Sequence, residues 1–131
     1  MVGVTRCSLN PLRKSDEQIR ESILKLTPIG TSKEDVIKVI KDNEQWYKNY
    51  PYSDKYQHFD HGYLRSDVYG PIIDYDDIPH NKADIVGKEI IMVTIGQYNG
   101  PLPTAVFACW AFDENSNLVD IAITREEYGY F

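Results

Sequence analysis

The sequence lacks the residues and patterns that would assign it to a familiar class. It has only two cysteines, Cys7 and Cys109, in 131 residues, too few for the disulfide framework of a small secreted domain. No apolar run approaches the roughly 20 residues of a transmembrane helix. Phosphate-binding glycine loops, the nucleophile elbow of hydrolases and the H-E-x-x-H zinc motif are also absent. We therefore expect no enzymatic activity, no cofactor and no metal site, and interpret Cys109 as a small buried thiol.

Positive charge is scarce over most of the chain. The net charge is −6, from 14 Lys and Arg against 20 Asp and Glu. Residues 1–41 carry eight basic and five acidic residues (+3), so residues 42–131 carry six and fifteen (−9). The negative electrostatic field of this region repels nucleic acid and favours a partner protein with a basic surface. The plainer interpretation is that the charge keeps the protein soluble.

The first residues of the sequence are compatible with two cellular locations. Cys7 is followed by the polar, proline-containing stretch Ser8 to Pro11, as at the start of a mature bacterial lipoprotein. No apolar signal region precedes Cys7. We expect a cytoplasmic protein from the sequence as it stands, and a cell-envelope protein if a signal segment has been removed. Residues 1–14 are predicted to be a flexible lead to a single domain at 15–131.

Two amphipathic helices are predicted in the first third of the chain. Ser15 and Gln18 have the spacing of a capping box, in which two side chains satisfy free N–H groups at a helix start. Thr31 and Glu34 repeat that spacing. Apolar residues follow each start at helical intervals. The predicted helices span residues 15–26 and 31–42.

The end of the chain predicts an antiparallel meander of three strands. The runs Glu89 to Tyr98, Thr104 to Asp113 and Leu118 to Thr124 are rich in β-branched and aromatic residues and are separated by turn residues. The middle run is apolar on both faces, so it belongs at the centre of the sheet. The fold class is therefore α+β, with both helices on one face of the sheet and either Trp110 or Phe107 facing them.

Residues 46–87 show neither helical nor strand periodicity, but they carry seven of the ten tyrosines. We predict short strands at His61–Leu64 and Gly70–Asp74. The densest acidic run of the chain is Asp74-Tyr75-Asp76-Asp77. Its negative charge can steer a partner protein towards it, and its tyrosine can anchor that partner. A solvated turn is the alternative interpretation. The predicted partner-binding residues are Asp67, Tyr69, Asp74, Tyr75, Asp76 and Asp77.

The histidines support a competing hypothesis. His58 and His61 would share a face if their segment were helical, with Asp60 as an oxygen donor and His80 nearby in sequence. A small metal-dependent hydrolase could be built around such a cluster. Gly62 argues against a helix there, and a histidine in a polar loop is usually just solvated. Convergence of the histidines in one pocket would favour the enzyme.

Two segments resemble a known group of proteins. Residues 29–36, Ile-Gly-Thr-Ser-Lys-Glu-Asp-Val, resemble the helix start of the SmpA/BamE outer-membrane assembly lipoproteins and of β-lactamase-inhibitor-protein-like domains. Residues 110–121 resemble their late hairpin, with Ser116 and Asn117 in place of the usual turn glycine. The resemblance implies two helices on one face of an antiparallel sheet and a protein-binding role of inhibitor, immunity or envelope-assembly type. It carries over no catalytic residues.

Overall fold

The described part of the chain folds into two helices, a main sheet and a small sheet. The computed structural model describes residues 14–46, 56–66, 70–73 and 84–127. Its elements are α1 (Asp16–Leu26), α2 (Lys33–Asp42), a 3-10 turn (Glu44–Trp46), β1 (Gln57–Phe59), β2 (Tyr63–Leu64), β3 (Ile85–Val86), β4 (Glu89–Tyr98), β5 (Thr104–Phe112) and β6 (Leu118–Glu127). The main sheet is antiparallel in the order β1-β4-β5-β6, and β2 pairs with β3 in the small sheet. The α+β prediction is confirmed, with four strands in the main sheet instead of three.

Both helices begin at a serine. Ser15 Oγ accepts a hydrogen bond from the Gln18 amide at 3.2 Å, and Gln18 Oε1 accepts one from the Ser15 amide at 3.1 Å, which confirms the first capping box. The second start was predicted one residue too early. Ser32 caps α2 by accepting from the Asp35 amide at 3.2 Å, whereas the Thr31 hydroxyl donates to the Pro28 carbonyl at 2.6 Å.

The start of α2 is joined to the turn between β5 and β6. The Gly30 amide donates to the Leu118 carbonyl, and the Leu118 amide donates to the Thr31 carbonyl, both at 2.8 Å. The Lys33 amide donates to the Ser116 carbonyl at 2.9 Å. Gly30 and Ser116 both have positive φ, at 95° and 62°, a conformation that glycine tolerates best. The two segments named in the resemblance are therefore in contact.

The helices pack on one face of the main sheet, around Trp110. Its indole is fully buried, and Nε1 donates to Thr27 Oγ1 at 3.0 Å. Of the two aromatic residues predicted to face the helices, Trp110 does so, and Phe107 lies on the alternate face of β5. The core residues on the helix side include Ile19, Ile23, Val36, Ile40, Ile91, Val93, Phe112, Leu118 and Ile121.

The small sheet covers part of the opposite face. Tyr63 packs there with Ile90 and Cys109. Gly62, just before β2, lies so close to the carbonyls of Val86 and Gly87 that a Cβ would not fit. This close approach holds the chain before β2 against β3.

The predicted strands of the middle segment are only partly found. His61–Leu64 shortens to Tyr63–Leu64, and Gly70–Asp74 contributes one bridge, from Ile72 to Leu64, with Asp74 outside the described residues. Strands β1 and β3 were not predicted. The predicted flexible lead, residues 1–14, lies outside the described residues except for Lys14. No helix within the described ranges is long and apolar enough to cross a membrane.

Candidate functional site

The small sheet holds the chain on both sides of the residues predicted to bind a partner. Those residues, here called the acidic segment, span 67–77, and all six named members lie outside the described part of the chain. The Leu64 amide donates to the Ile72 carbonyl at 2.7 Å, and the Ile72 amide donates back at 2.9 Å. The Arg65 amide donates to the Asp84 carbonyl at 2.9 Å. The acidic segment thus leaves and rejoins a paired scaffold, the arrangement in which binding loops are usually presented.

Asp120 ties the small sheet to the main sheet and to α1. Its Oδ2 accepts from the Tyr63 hydroxyl at 2.8 Å, and its Oδ1 accepts from Arg20 Nη2 at 2.6 Å. The Ile121 amide also donates to Oδ1, at 2.9 Å. Arg65 Nη2 lies further away, 3.8 Å from Oδ2. One carboxylate therefore joins β6, β2 and α1, three elements far apart in sequence.

Arg20 also protects the edge of the sheet. Its Nε donates to the Ile121 carbonyl at 2.8 Å, so α1 satisfies a backbone acceptor on the outer side of β6. Near the other end of that strand, Arg125 Nε donates to Asp16 at 2.7 Å. Exposed strand edges invite pairing with other chains, and proteins commonly cover them. The bond from Arg20 to the Ile121 carbonyl therefore covers the β6 edge at one point, and the Arg125–Asp16 pair joins the end of the strand to α1.

The ionisation of the Asp120 cluster is fixed near neutral pH. Burial acts to raise the pKa of Asp120, but the hydrogen bonds from Arg20 and Tyr63 outweigh it and hold that pKa below its usual value. Burial, together with the hydrogen bond to Asp120, raises the pKa of the Tyr63 hydroxyl. A carboxylate that stays charged and a phenol that stays neutral serve as an anchor and not as a proton-transfer pair.

The described histidines do not form a shared metal site. His58 Nε2 lies 2.6 Å from Glu89 Oε2, and His58 Nδ1 lies 3.7 Å from Asp60. His61 Nδ1 lies 2.8 Å from the Gly62 carbonyl oxygen. No group of three potential ligands is close enough to hold a metal among the residues described, and His80 lies outside them. Of the predicted cluster, the structure brings together only His58 and Asp60.

Glu89, which the sequence did not single out, connects α2 to the sheet. Its Oε2 accepts from Lys33 Nζ at 3.3 Å as well as contacting His58, and Ser116 Oγ lies 3.5 Å from Oε1. Burial acts to raise the pKa of Glu89, but the hydrogen bonds from His58 and Lys33 outweigh it and lower that pKa. The contacts join α2, β1 and the turn before β6 through one carboxylate.

Cys109 is buried, as the sequence indicated. Its side chain is fully inaccessible on the face beneath Tyr63, and burial raises the pKa of the thiol to about 12. Because the thiolate is the reactive form, this cysteine is not a nucleophile at neutral pH. Its role is to pack a small side chain under the small sheet.

An apolar groove lies on the helix side of the molecule, here called the α1 groove. Its volume is about 240 Å³. It is lined by residues of α1, by the 3-10 turn with Asn43 before it, and by Ile95 of β4. Leu26 in its wall is 50% exposed, although it is a large apolar side chain. The lining residues are Lys14, Ile19, Ser22, Ile23, Leu26, Asn43, Gln45, Trp46 and Ile95.

No protein-family model, curated protein or solved structure matches this chain. The structure places the α1 groove on the face of the sheet opposite the small sheet.

Proposed function

We propose that the protein is a non-enzymatic protein-binding module whose acidic segment contacts a basic surface on a partner. The observation that supports this most is the paired scaffold around that segment, closed by the hydrogen bond from Arg65 to Asp84 and fixed through Tyr63 to Asp120. Ordering a long binding segment on association costs conformational entropy. Fixing the chain on both sides reduces that cost before the partner arrives.

The charge distribution supports a basic partner. The net charge of −9 over residues 42–131 includes the acidic segment. Opposite charges on two proteins raise the rate at which they meet, and the effect weakens as salt screens it. Within the resemblance, an inhibitor, an immunity protein and an envelope-assembly protein all act by binding another protein, and we propose this general class.

The competing hydrolase hypothesis draws no support from the described histidines. Both ring nitrogens of His58 face carboxylates, Glu89 at 2.6 Å and Asp60 at 3.7 Å, and His61 is engaged by a backbone carbonyl. A catalytic metal needs several ligands directed at one point. The contacts of His58 and Glu89 instead connect elements of the fold.

A tyrosine substitution in the acidic segment tests the proposal. The partner is first isolated by co-purification with the full chain and identified. If Tyr75 is an anchor buried in the complex, Tyr75→Ala raises the dissociation rate by about 30-fold or more, since anchor residues contribute about 2 kcal/mol or more. Val119→Ala, which shortens an exposed apolar side chain on β6, is the control and leaves the rate near that of the wild type. Equal dissociation rates for the two variants would contradict the role of Tyr75.

A further inference from the structure

The loop between β4 and β5 contains an asparagine followed directly by a glycine. It runs from Asn99 to Pro103, and both Asn99 and Gly100 are exposed. Among the described residues, a Cβ built on Gly100 would meet no atom outside its chain neighbours closer than the Leu102 carbonyl oxygen, at 3.8 Å. The space around this residue is therefore open, and exposed loop tips with small residues are where a chain is most accessible to covalent change.

The main-chain amide of Gly100 donates no hydrogen bond to any of the described residues. The pairing of the two flanking strands ends at Tyr98 and Thr104, outside the loop. An amide that is bonded to a carbonyl keeps its proton and its position, whereas a free amide can lose its proton to hydroxide and act as a nucleophile. Glycine also lacks a side chain that would obstruct the approach of its nitrogen to a neighbouring group.

Two other exposed asparagines lie in the turn between β5 and β6, and the amides that follow them are bonded. Asn115 is followed by Ser116, whose amide donates to the Asp113 carbonyl at 3.0 Å. Asn117 is followed by Leu118, whose amide donates at 2.8 Å to a carbonyl of the segment before α2. Exposure alone therefore does not distinguish the three asparagines, but the state of the next amide does.

We propose that Asn99 is a site of spontaneous deamidation. The Gly100 nitrogen bonds to Cγ of Asn99 while the bond from Cγ to Nδ2 breaks, so that ammonia leaves with the proton of the Gly100 amide and a succinimide ring remains. Water then opens the ring at either of its two carbonyls and yields aspartate or isoaspartate. Water is the only co-reactant, and hydroxide accelerates the first step by removing the amide proton.

The modification changes both the charge and the main chain at this end of the sheet. Each event adds one negative charge to a chain whose net charge is −6. Isoaspartate also lengthens the main chain by one methylene directly after Tyr98, whose hydroxyl accepts from Arg125 Nη1 at 3.1 Å. The reaction does not depend on the proposed binding function, and it leaves the residues of the acidic segment unaltered.

Incubation of the full chain at mildly alkaline pH, followed by mass spectrometry of its proteolytic fragments, tests the proposal. The peptides acetyl-Tyr-Asn-Gly-amide and acetyl-Glu-Asn-Ser-amide give the rate of each residue pair without a fold. We expect Asn99 in the protein to react within about twofold of its peptide, because the loop is open. Asn115 should react at least about fivefold more slowly than its peptide, which is the protection that one backbone hydrogen bond gives.

Three variants identify the reacting groups. Gly100→Ala fits the open space and places a methyl group beside the attacking nitrogen, so the rate at Asn99 should fall several-fold. Asn99→Gln should keep its amide over the same period, because it would have to form a larger ring. Asn115→Gln is the matched control and leaves the rate at Asn99 at that of the wild type. Circular dichroism checks that each variant keeps the wild-type fold.

Three results would overturn the proposal. One is an Asn99 that keeps its amide in the full chain while its peptide reacts. Another is equal protection of Asn99 and Asn115, each relative to its own peptide. The third is a wild-type rate in Gly100→Ala, since the Gly100 amide would then not be the attacking group. No partner protein takes part in these measurements, so their failure is distinguishable from failure of the proposed function.

Discussion

Removal of the Tyr63 hydroxyl tests whether Asp120 secures the small sheet. The hydroxyl donates to Asp120 Oδ2 at 2.8 Å, and the tyrosine is only 3% exposed. In Tyr63→Phe the ring keeps its packing against Ile90 and Cys109. The carboxylate keeps its bonds from Arg20 and from the Ile121 amide. The substitution therefore removes one hydrogen bond and little else.

The expected loss is moderate because Asp120 is partly open to water. A hydrogen bond to a charged group contributes about 1.5 to 3 kcal/mol when buried. The Asp120 side chain retains 21% exposure, so water replaces part of the interaction, and we expect Tyr63→Phe to lower the free energy of unfolding by about 1 to 2 kcal/mol. Asp120→Ala also removes the acceptor of Arg20 Nη2 and of the Ile121 amide, and we expect it to cost about 2 to 4 kcal/mol.

Urea unfolding followed by tryptophan fluorescence measures these losses. Tyr56→Phe is the matched control, because the Tyr56 hydroxyl makes no hydrogen bond with the described residues, and its effect should stay within about 0.5 kcal/mol. The double variant of Tyr63 and Asp120 should lose less than the two single losses together, by about 1 kcal/mol, since both remove the same bond. Equal stability of Tyr63→Phe and Tyr56→Phe, or strict additivity, would refute the anchor.

Two further predictions concern the buried polar contacts. Thr27→Val removes the acceptor for the buried Trp110 Nε1, so it should lower the free energy of unfolding by about 1 to 3 kcal/mol; a loss below that in urea unfolding would mean that the indole finds another acceptor. Glu89 has a lowered pKa in the folded protein. Its ionised form therefore stabilises the fold fully above the ordinary glutamate pKa of about 4.3, and this stabilisation is lost as the pH falls through the lower pKa of the folded state. The stability difference between wild type and Glu89→Gln should therefore shrink from neutral to acid pH, and a constant difference would contradict this linkage.

Local signals predicted the helices and the long strands, and tertiary contacts decided the details. Ser15 was identified because its capping partner is three residues away. Thr31 and Ser32 can both cap a helix, and the choice depends on Leu118, which pairs with Thr31 from the far end of the chain. Strand β6 runs three residues beyond the prediction, to Glu127, although the sequence Arg-Glu-Glu there has no apolar pattern. Arg125 supports this end of the strand through Asp16.

The Asp120 anchor could not be predicted from spacing. Tyr63 is 57 residues away from Asp120 and Arg20 is 100 residues away, so no local pattern links them. A weak signal was present, because Asp120 is the one charged residue of the predicted strand Leu118 to Thr124, and such a residue needs a partner when it is covered. Strands β1 and β3 were missed because runs of three and two residues are too short to show a period.

Association kinetics with the co-purified partner test the central claim most directly. Rate constants are measured against ionic strength for the wild type, for Asp76→Lys with Asp77→Lys, and for Glu126→Lys with Glu127→Lys. Both double variants change the net charge equally, and the second replaces two exposed residues at the end of β6. We predict that the wild-type rate falls steeply with salt, that the first variant associates about tenfold more slowly at low salt, and that the second stays near the wild type. A wild-type rate indifferent to salt, with both variants associating normally, would contradict binding through the acidic segment.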